Sequence, residues 1–530
     1  MAETKSKLYA LKPLIEKWPA VAKPEGHVPF KTKVFWTTAC LVLYYILANI
    51  TIYGIGEDRV DLFAQFRAIL AGASGSLMHL GIGPIVTGSI IMQLFVGAKI
   101  INLDLTKKED KAIYQGTQKI IVLAMIFVEA VPQVYGYLDP SLGLQSNLVR
   151  DAGMSQGGAL NAARGIIIFQ LFLGAMIVFL MDELISKWGI GSGISLFIAA
   201  GVAQALFTGL FNWEPYTDGQ PLDAFNNPPI GTIPMVWYVF THASFGAIVH
   251  QGGFENMFIG SANFPNPIIA LIGTLVIFMF VVYVESSRVE LPLAHGKVRG
   301  ARGRYPIRLI YASNIPVILI AALLANVNLF AILLYTHPTL SDIPFVGKAW
   351  WIGLYPAGQP NPSAIMGGAW YVTTWRGFQE WFLPLLDYDR YSGFVYGHAI
   401  WQVVLKIFIY LFIYIGGSIM FAKFWIETTN MGPEAVAKQI QSSGMQIPGF
   451  RREPRVLRKV LERYIPTVTV IGGALVGGLA AIADMIGTIG QASGTGVLLA
   501  VGIVMRMYEQ IAKEQAMEMH PVLRGFFGAD

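Results

Sequence analysis

The sequence predicts an all-α integral membrane protein of about ten spanning helices arranged in two inverted five-helix halves. Three observations predict it: a scarcity of charge, a series of apolar runs of spanning length, and a lopsided distribution of positive residues. Of 530 residues, 13% are charged and 54% are hydrophobic, with a mean hydropathy of +0.53. Such a composition cannot cover itself with polar surface in water, so the bilayer must serve as its solvent.

A span needs about 20 mostly apolar residues. Runs of that kind occupy 34–54, 82–98, 118–137, 164–181 and 190–211, then 267–284, 309–330, 400–421, 466–486 and 491–507. Residues 1–33 are polar, hold seven lysines and lack a small-residue cleavage site. The run that follows therefore reads as a retained span rather than a signal peptide. With the N-terminus placed in the cytoplasm, the inside segments are 1–33, 99–119, 182–189, 286–308, 422–464 and 506–530, and they carry 30 of the 38 Lys and Arg residues. The 55-residue segment 212–266 carries none. Positive residues mark the cytoplasmic side, so both termini are expected there and the number of spans is even.

The organisation that follows is a cytoplasmic segment 1–33, an N-terminal half 34–211, an external loop 212–266, a C-terminal half 267–507 with cytoplasmic loops 286–308 and 422–464, and a cytoplasmic tail 508–530. Five spans on each side of one external loop have opposite orientations, which is the arithmetic of an inverted repeat. The second run of each half also carries an early proline, Pro84 and Pro316. Residues 61–71 (DLFAQFRAILA) fit no span. They read as a short amphipathic helix, either interfacial or folded back, and Gly72 to Ser76 form a flexible break behind it. Lys406, near the outer end of the eighth run, is placed to snorkel.

Enzyme signatures are missing: there is no His-Glu-x-x-His, no phosphate loop ending in Gly-Lys-Ser/Thr and no nucleophile elbow. The eight histidines fall outside the cores of the runs, which excludes a haem held across the bundle. The single cysteine, Cys40, excludes a disulfide framework and a thiolate metal site and reads as a small buried apolar residue. No metal ligand set and no cofactor is expected. The polar residues inside runs include Glu129 in the third, Thr87 and Gln93 in the second, and Asn314 and Asn326 in the seventh. Intramembrane polar groups are costly and tend to be functional. Either ion coupling in a transporter or a hydrogen-bond cluster between helices would account for them.

Three motifs narrow the choice. GIGPIVTGSIIMQLF (81–95), GIGSGISLFIAAG (189–201) and SSRVELPLAHGKVRGARGRYPIRLIYASNIPVIL (286–319) closely resemble the SecY family, the main (alpha) subunit of the Sec protein-conducting channel. RVELPL and YASNIPVIL are similar to its archaeal and eukaryotic branch. The resemblance runs the length of the chain, apart from the long outer loops 212–266 and 331–399, which depart from the compact family pattern.

The resemblance implies two halves around a central pore narrowed by six apolar side chains, which match Ile82, Val86, Ile198, Val202, Ile318 and Leu499, with Leu498 a neighbouring alternative to the last. It implies that 61–71 is a plug, with Leu62, Phe63, Phe66, Ile69 and Leu70 on its apolar side. It further implies a lateral gate between the second and seventh spans, closed by a polar cluster of Thr87, Glu129 and Asn326. Ribosome docking falls to Arg302 and Arg451 in the basic loops, whose charges retention on the inside would otherwise explain. The implied partners are SecE-like (gamma) and beta subunits, the ribosome and nascent chain, signal sequences and the lipid bilayer, and not DNA. The expected location is the cell (plasma) membrane. A narrow apolar collar offers an ion no replacement for its hydration shell, yet presents no charge to hold a passing peptide. The expected activity is therefore passage of secretory proteins across the membrane and release of membrane proteins into it, without catalysis. An ion-coupled transporter would instead need ligands at the midplane, where this reading places an apolar centre.

Overall fold

The computed structural model describes residues 7–17, 20–56, 70–98, 107–136, 138–217, 219–261, 263–295, 302–308, 314–336, 349–355, 364–429, 431–442, 445–446 and 454–519, with 100, 101, 103 and 105. Its long helices are α1 (Phe30–Asn49), α2 (Gly83–Gly97), α3 (Lys108–Gly136), α4 (Gln156–Trp188) and α5 (Gly193–Phe211), followed by α6 (Ile268–Ser286), α7 (Ile315–Thr336), α8 (Ile400–Thr428), α9 (Pro454–Ile486) and α10 (Gly494–Met519). Eight of these are long and apolar enough to cross a bilayer. Of the other two, α1 has 20 residues, about 30 Å of helix and the thickness of the hydrocarbon layer. The second, α2, is a shorter apolar helix.

Each helix lies on one of the ten apolar runs, and the differences are at the ends. The fourth run, 164–181, is the middle of α4, the ninth lies within α9, and α10 continues beyond 507 to Met519. Hydropathy reports where hydrocarbon ends, whereas backbone pairing continues into the polar zone. There, i,i+4 pairs such as Glu183 with Lys187 at 2.8 Å and Arg458 with Glu462 at 2.7 Å support the extra turns. The two early prolines are helix starters. Pro84 and Pro316 are each the second residue of their helix, α2 and α7, where a missing N–H costs no hydrogen bond.

The halves meet along two lines. On one, α2 packs against α7 and α8; on the other, α5 packs against α10. The start of α1 and the last turns of α10 lie together. The Phe30 amide donates to Glu518 Oε1 at 2.8 Å, and Lys33 pairs with Glu514 at 2.8 Å. The N-terminal segment continues along that end of the bundle. Trp188 Nε1 donates to the Ala22 carbonyl at 2.9 Å, and the Tyr9 hydroxyl donates to Asp110 at the start of α3. The Asp110 carboxylate pushes the Tyr9 phenol up to about 12.

The segment 286–308 is not an irregular loop. It forms an antiparallel ribbon of β1 (Arg288–His295) and β2 (Arg302–Arg308), with Arg288 opposite Arg308 and Ala294 opposite Arg302. A short strand β3 (Met445–Gln446) pairs with the far edge of β1. One small sheet thus joins the two basic loops. The alternation of Val289, Leu291 and Leu293 with smaller or polar neighbours is the period-2 signal for the ribbon.

The described parts of the segments between α5 and α6 and between α7 and α8 form lids of short helices over the opposite end of the bundle. Asn266 ties three pieces together: its Nδ2 donates to the Ile230 carbonyl at 2.8 Å, its Oδ1 accepts the Gly490 amide at 2.8 Å, and its carbonyl accepts from Thr232 Oγ1 at 2.9 Å. Arg390 pairs with Glu255 at 2.5 Å and so links the segment between α7 and α8 to that between α5 and α6. Lys406 does not reach solvent as a snorkelling residue would. Its side chain is buried, with the ammonium 4.0 Å from the ring centroid of Trp375 and 4.7 Å from that of Trp370. The aromatic faces of the lid take the place of water around the cation.

Trp381 Nε1 donates to the Met485 carbonyl at 2.8 Å and docks the same lid on the end of α9. Trp381→Phe removes the donor and leaves that carbonyl unpartnered. It is expected to cost about 1–3 kcal/mol, read as a lower unfolding temperature in detergent and faster proteolysis within 364–399.

Candidate functional site

The candidate site lies where α2, α3, α5, α7 and α10 converge. All six of Ile82, Val86, Ile198, Val202, Ile318 and Leu499 are buried, and all belong to one contiguous apolar cluster that draws side chains from each of the ten long helices. Ile82 is the N-cap of α2 and Val86 lies one turn later, on the same face; Ile198 and Val202 repeat that spacing on α5. Leu498 and Leu499 are both buried, so burial does not choose between them.

Beside this cluster runs a polar seam. Thr87 Oγ1 on α2 donates to Glu129 Oε1 on α3 at 2.9 Å and accepts from Asn326 Nδ2 on α7 at 3.2 Å. The threonine hydroxyl is both donor and acceptor, so it can join an amide to a carboxylate in one relay. Thr87, Glu129 and Asn326 are therefore brought together as the sequence reading expects. Gln93 and Asn314 are buried but are not part of this relay.

Of the five apolar residues assigned to the plug, Leu62, Phe63, Phe66 and Ile69 lie outside the described residues, while Leu70 is described. The Leu70 carbonyl accepts the amide of Ile82 at 2.8 Å, and the Ala71 carbonyl accepts from Tyr44 OH at 3.1 Å. Gly81 makes the contact feasible. Its φ is +54°, and a Cβ there would stand 2.1 Å from the Leu70 oxygen. Ala71 holds φ +50°, an unfavourable conformation for a residue with a Cβ. The segment that follows, read from sequence as a flexible break, is a hydrogen-bonded turn. Ile52 N–H donates to the Gly75 carbonyl and Leu77 N–H to the Ile50 carbonyl, each at 2.9 Å.

His79, buried in this turn, has no role assigned from sequence because it precedes the span. Its Nδ1 accepts the Gly75 amide at 3.0 Å, which places the proton on Nε2, 2.9 Å from Gln133 Oε1 on α3. A histidine beside a Gly/Ser-rich turn was the available signal. Arg302 lies at the start of β2, paired with Ala294, and Arg451 lies outside the described residues. Among the described residues no group of three or more His, Cys, Asp or Glu is arranged to hold a metal ion.

An apolar core crossed by helix pairs from two halves, with a polar seam between α2 and α7 and an ordered turn leading into the core, has the architecture of a membrane helical bundle built around a gated centre, as in protein-conducting channels. The SecY family model matches residues 76–508, and the model of the plug domain of Sec61p matches 42–75. The chain is 43% identical to the protein translocase subunit SecY of Archaeoglobus fulgidus over 99% of both chains. It is 44% identical to that of Haloferax volcanii over 98% of this chain and 99% of the other. Among solved structures it is similar to one described as a protein-conducting channel, with a TM-score of 0.72 at 37% identity over 96% of this chain and 98% of that one. It is similar also to Sec61 in a canine ribosome-channel complex from the endoplasmic reticulum, with a TM-score of 0.69 at 37% identity over the same shares. The chain belongs to the SecY family.

Proposed function

We propose that this chain is the pore-forming subunit of a protein translocase. Polypeptides pass through the constriction of Ile82, Val86, Ile198, Val202, Ile318 and Leu499, and hydrophobic segments leave sideways between α2 and α7. The observation that carries the reading is the relay from Asn326 through Thr87 to Glu129, 3.2 and 2.9 Å long. It bridges two helices from opposite halves at the edge of a buried apolar core. A solute transporter would use a buried carboxylate to bind an ion, whereas here the carboxylate accepts a seam hydrogen bond.

The supporting physics is that of a passive device. The collar excludes hydrated ions by offering them no ligands, and the segment 61–71, hydrogen-bonded to Ile82 through Leu70, closes the funnel at rest. No covalent step and no cofactor are needed. The partners are the translating ribosome, held by the basic loops through Arg302 and Arg451, and SecE-like (gamma) and beta companions. The location is the cell membrane, with both termini in the cytoplasm; the contacts between residues 30–33 and 514–518 support a common side for the two. The domain limits follow: halves 34–211 and 267–507 around the loop 212–266.

The test is a photocrosslinking probe placed in turn at Ile82, Ile198 and Ile318, with a nascent secretory chain arrested at mid-length. Adducts are expected from all three positions, and only while the chain is engaged. Adducts from lipid alone would reject a central path.

A further inference from the structure

Two acidic residues outside the seam make the same contact in the two halves. In the first, Asp182 near the end of α4 accepts the amide of Ile194 on Oδ1 at 2.9 Å. In the second, Asp484 near the end of α9 accepts the amide of Thr495 on Oδ1 at 2.9 Å. The loops between donor and acceptor differ by one residue, 12 apart in the first half and 11 in the second. Ile194 is the second residue of α5, which starts at Gly193, and Thr495 is the second of α10, which starts at Gly494. Both helices follow a serine, in Ser192-Gly193-Ile194 and Ser493-Gly494-Thr495. Both first residues must be glycine for the same reason. A Cβ on Gly193 would stand 2.5 Å from the Asp182 Cα, and one on Gly494 would stand 2.1 Å from the Ala483 carbonyl carbon.

The early amides of a helix have no partner inside it, and the positive end of its dipole faces them. A carboxylate supplied by the preceding helix satisfies both and closes the helical hairpin at a fixed register. Four residues beyond Ile194 is Ile198, and four beyond Thr495 is Leu499. One turn of helix is about 5.4 Å and returns nearly to the same face, so pinning the second amide fixes both the depth and the facing of the side chain one turn on.

We propose that Asp182 and Asp484 are a repeat-related pair of positioning residues that set the height and rotation of Ile198 and Leu499 in the constriction. The proposal rests on the assignment of those two residues to the pore. It selects Leu499 over Leu498, because Leu499 alone stands in the register of Ile198. Asp484 is the more heavily held of the two. Its Oδ2 also accepts from Thr495 Oγ1 at 2.7 Å and from Tyr410 OH on α8 at 2.8 Å, so its replacement moves the constriction more.

The test is unitary conductance of the complete channel, with its companion subunits, in a background lacking 61–71. Asp182→Leu and Asp484→Leu are expected to change it by about twofold or more, with the larger change at Asp484. Asp182→Asn and Asp484→Asn keep an oxygen for the amide and are expected to stay nearer the parent value. If the leucine variants do not accumulate, Asp182→Glu and Asp484→Glu, which set the acceptor one methylene further out, are read in the same way and are expected to shift the conductance. Folded variants with a lowered unfolding temperature and an unaltered unitary conductance would reduce the pair to fold stability and overturn the proposal. Ile198→Ala and Leu499→Ala serve as controls. If they too leave conductance unaltered, the pore assignment fails, and the positioning role falls with it.

Discussion

Replacing Asn326 or Glu129 by leucine is expected to lower the hydrophobicity that a signal needs in order to enter the membrane. Each substitution removes one link of the relay through Thr87. Interhelical hydrogen bonds of this kind contribute about 0.6 kcal/mol on average and up to about 1.7. A leucine at the centre of an inserting segment contributes about 0.3 to 0.6 kcal/mol. Losing one link therefore corresponds to about one to six leucines in the signal. The leucine variants also shed the cost of showing a polar side chain to lipid when the seam parts, which acts in the same direction. A graded series of signals, scored for insertion into reconstituted vesicles, reads the threshold. A threshold that stays in place would remove the seam from the gate.

Deleting 61–71 is expected to raise resting ion conductance by about an order of magnitude or more, because the proposed apolar collar alone would then hold the seal. A milder version of the same result is expected from Gly81→Val. A β-branched side chain at φ +54° would have its Cβ 2.1 Å from the Leu70 oxygen, so the contact between Leu70 and Ile82 must open. The left-handed conformation alone costs about 1–2 kcal/mol. Ion flux from vesicles without any translocating chain measures both variants, and a tight Gly81→Val channel would show that the Leu70 carbonyl does not anchor the closure.

Much of this was legible in sequence because hydrocarbon imposes length and composition on whatever crosses it. Each of the ten long helices overlaps one apolar run, and Thr87, Glu129 and Asn326 meet in one cluster. What escaped lies where the bilayer stops dictating. The ribbon of β1 and β2 lies in a segment that the sequence marks only as a basic connecting loop, because its alternation covers a few residues. From sequence Lys406 reads as a cation at the water, since cations in spans usually snorkel; the two tryptophans that enclose it come from residues 30 or more positions earlier in the chain, and no local pattern announces them. Asp182 fell one residue past the end of a run, and Asp484 near the end of another. Neither stood out until the hairpin geometry showed what their carboxylates hold.

The contacts of Phe30 with Glu518 and of Lys33 with Glu514 bear on how the molecule is made. Helix α1 meets α10 only after some 480 further residues have been made. Until then the emerging bundle is an open clasp with one edge unguarded in the lipid. Closure of that edge waits on α10, so a chain truncated before 514 should be left for quality-control proteases even though most of its spans are already in place.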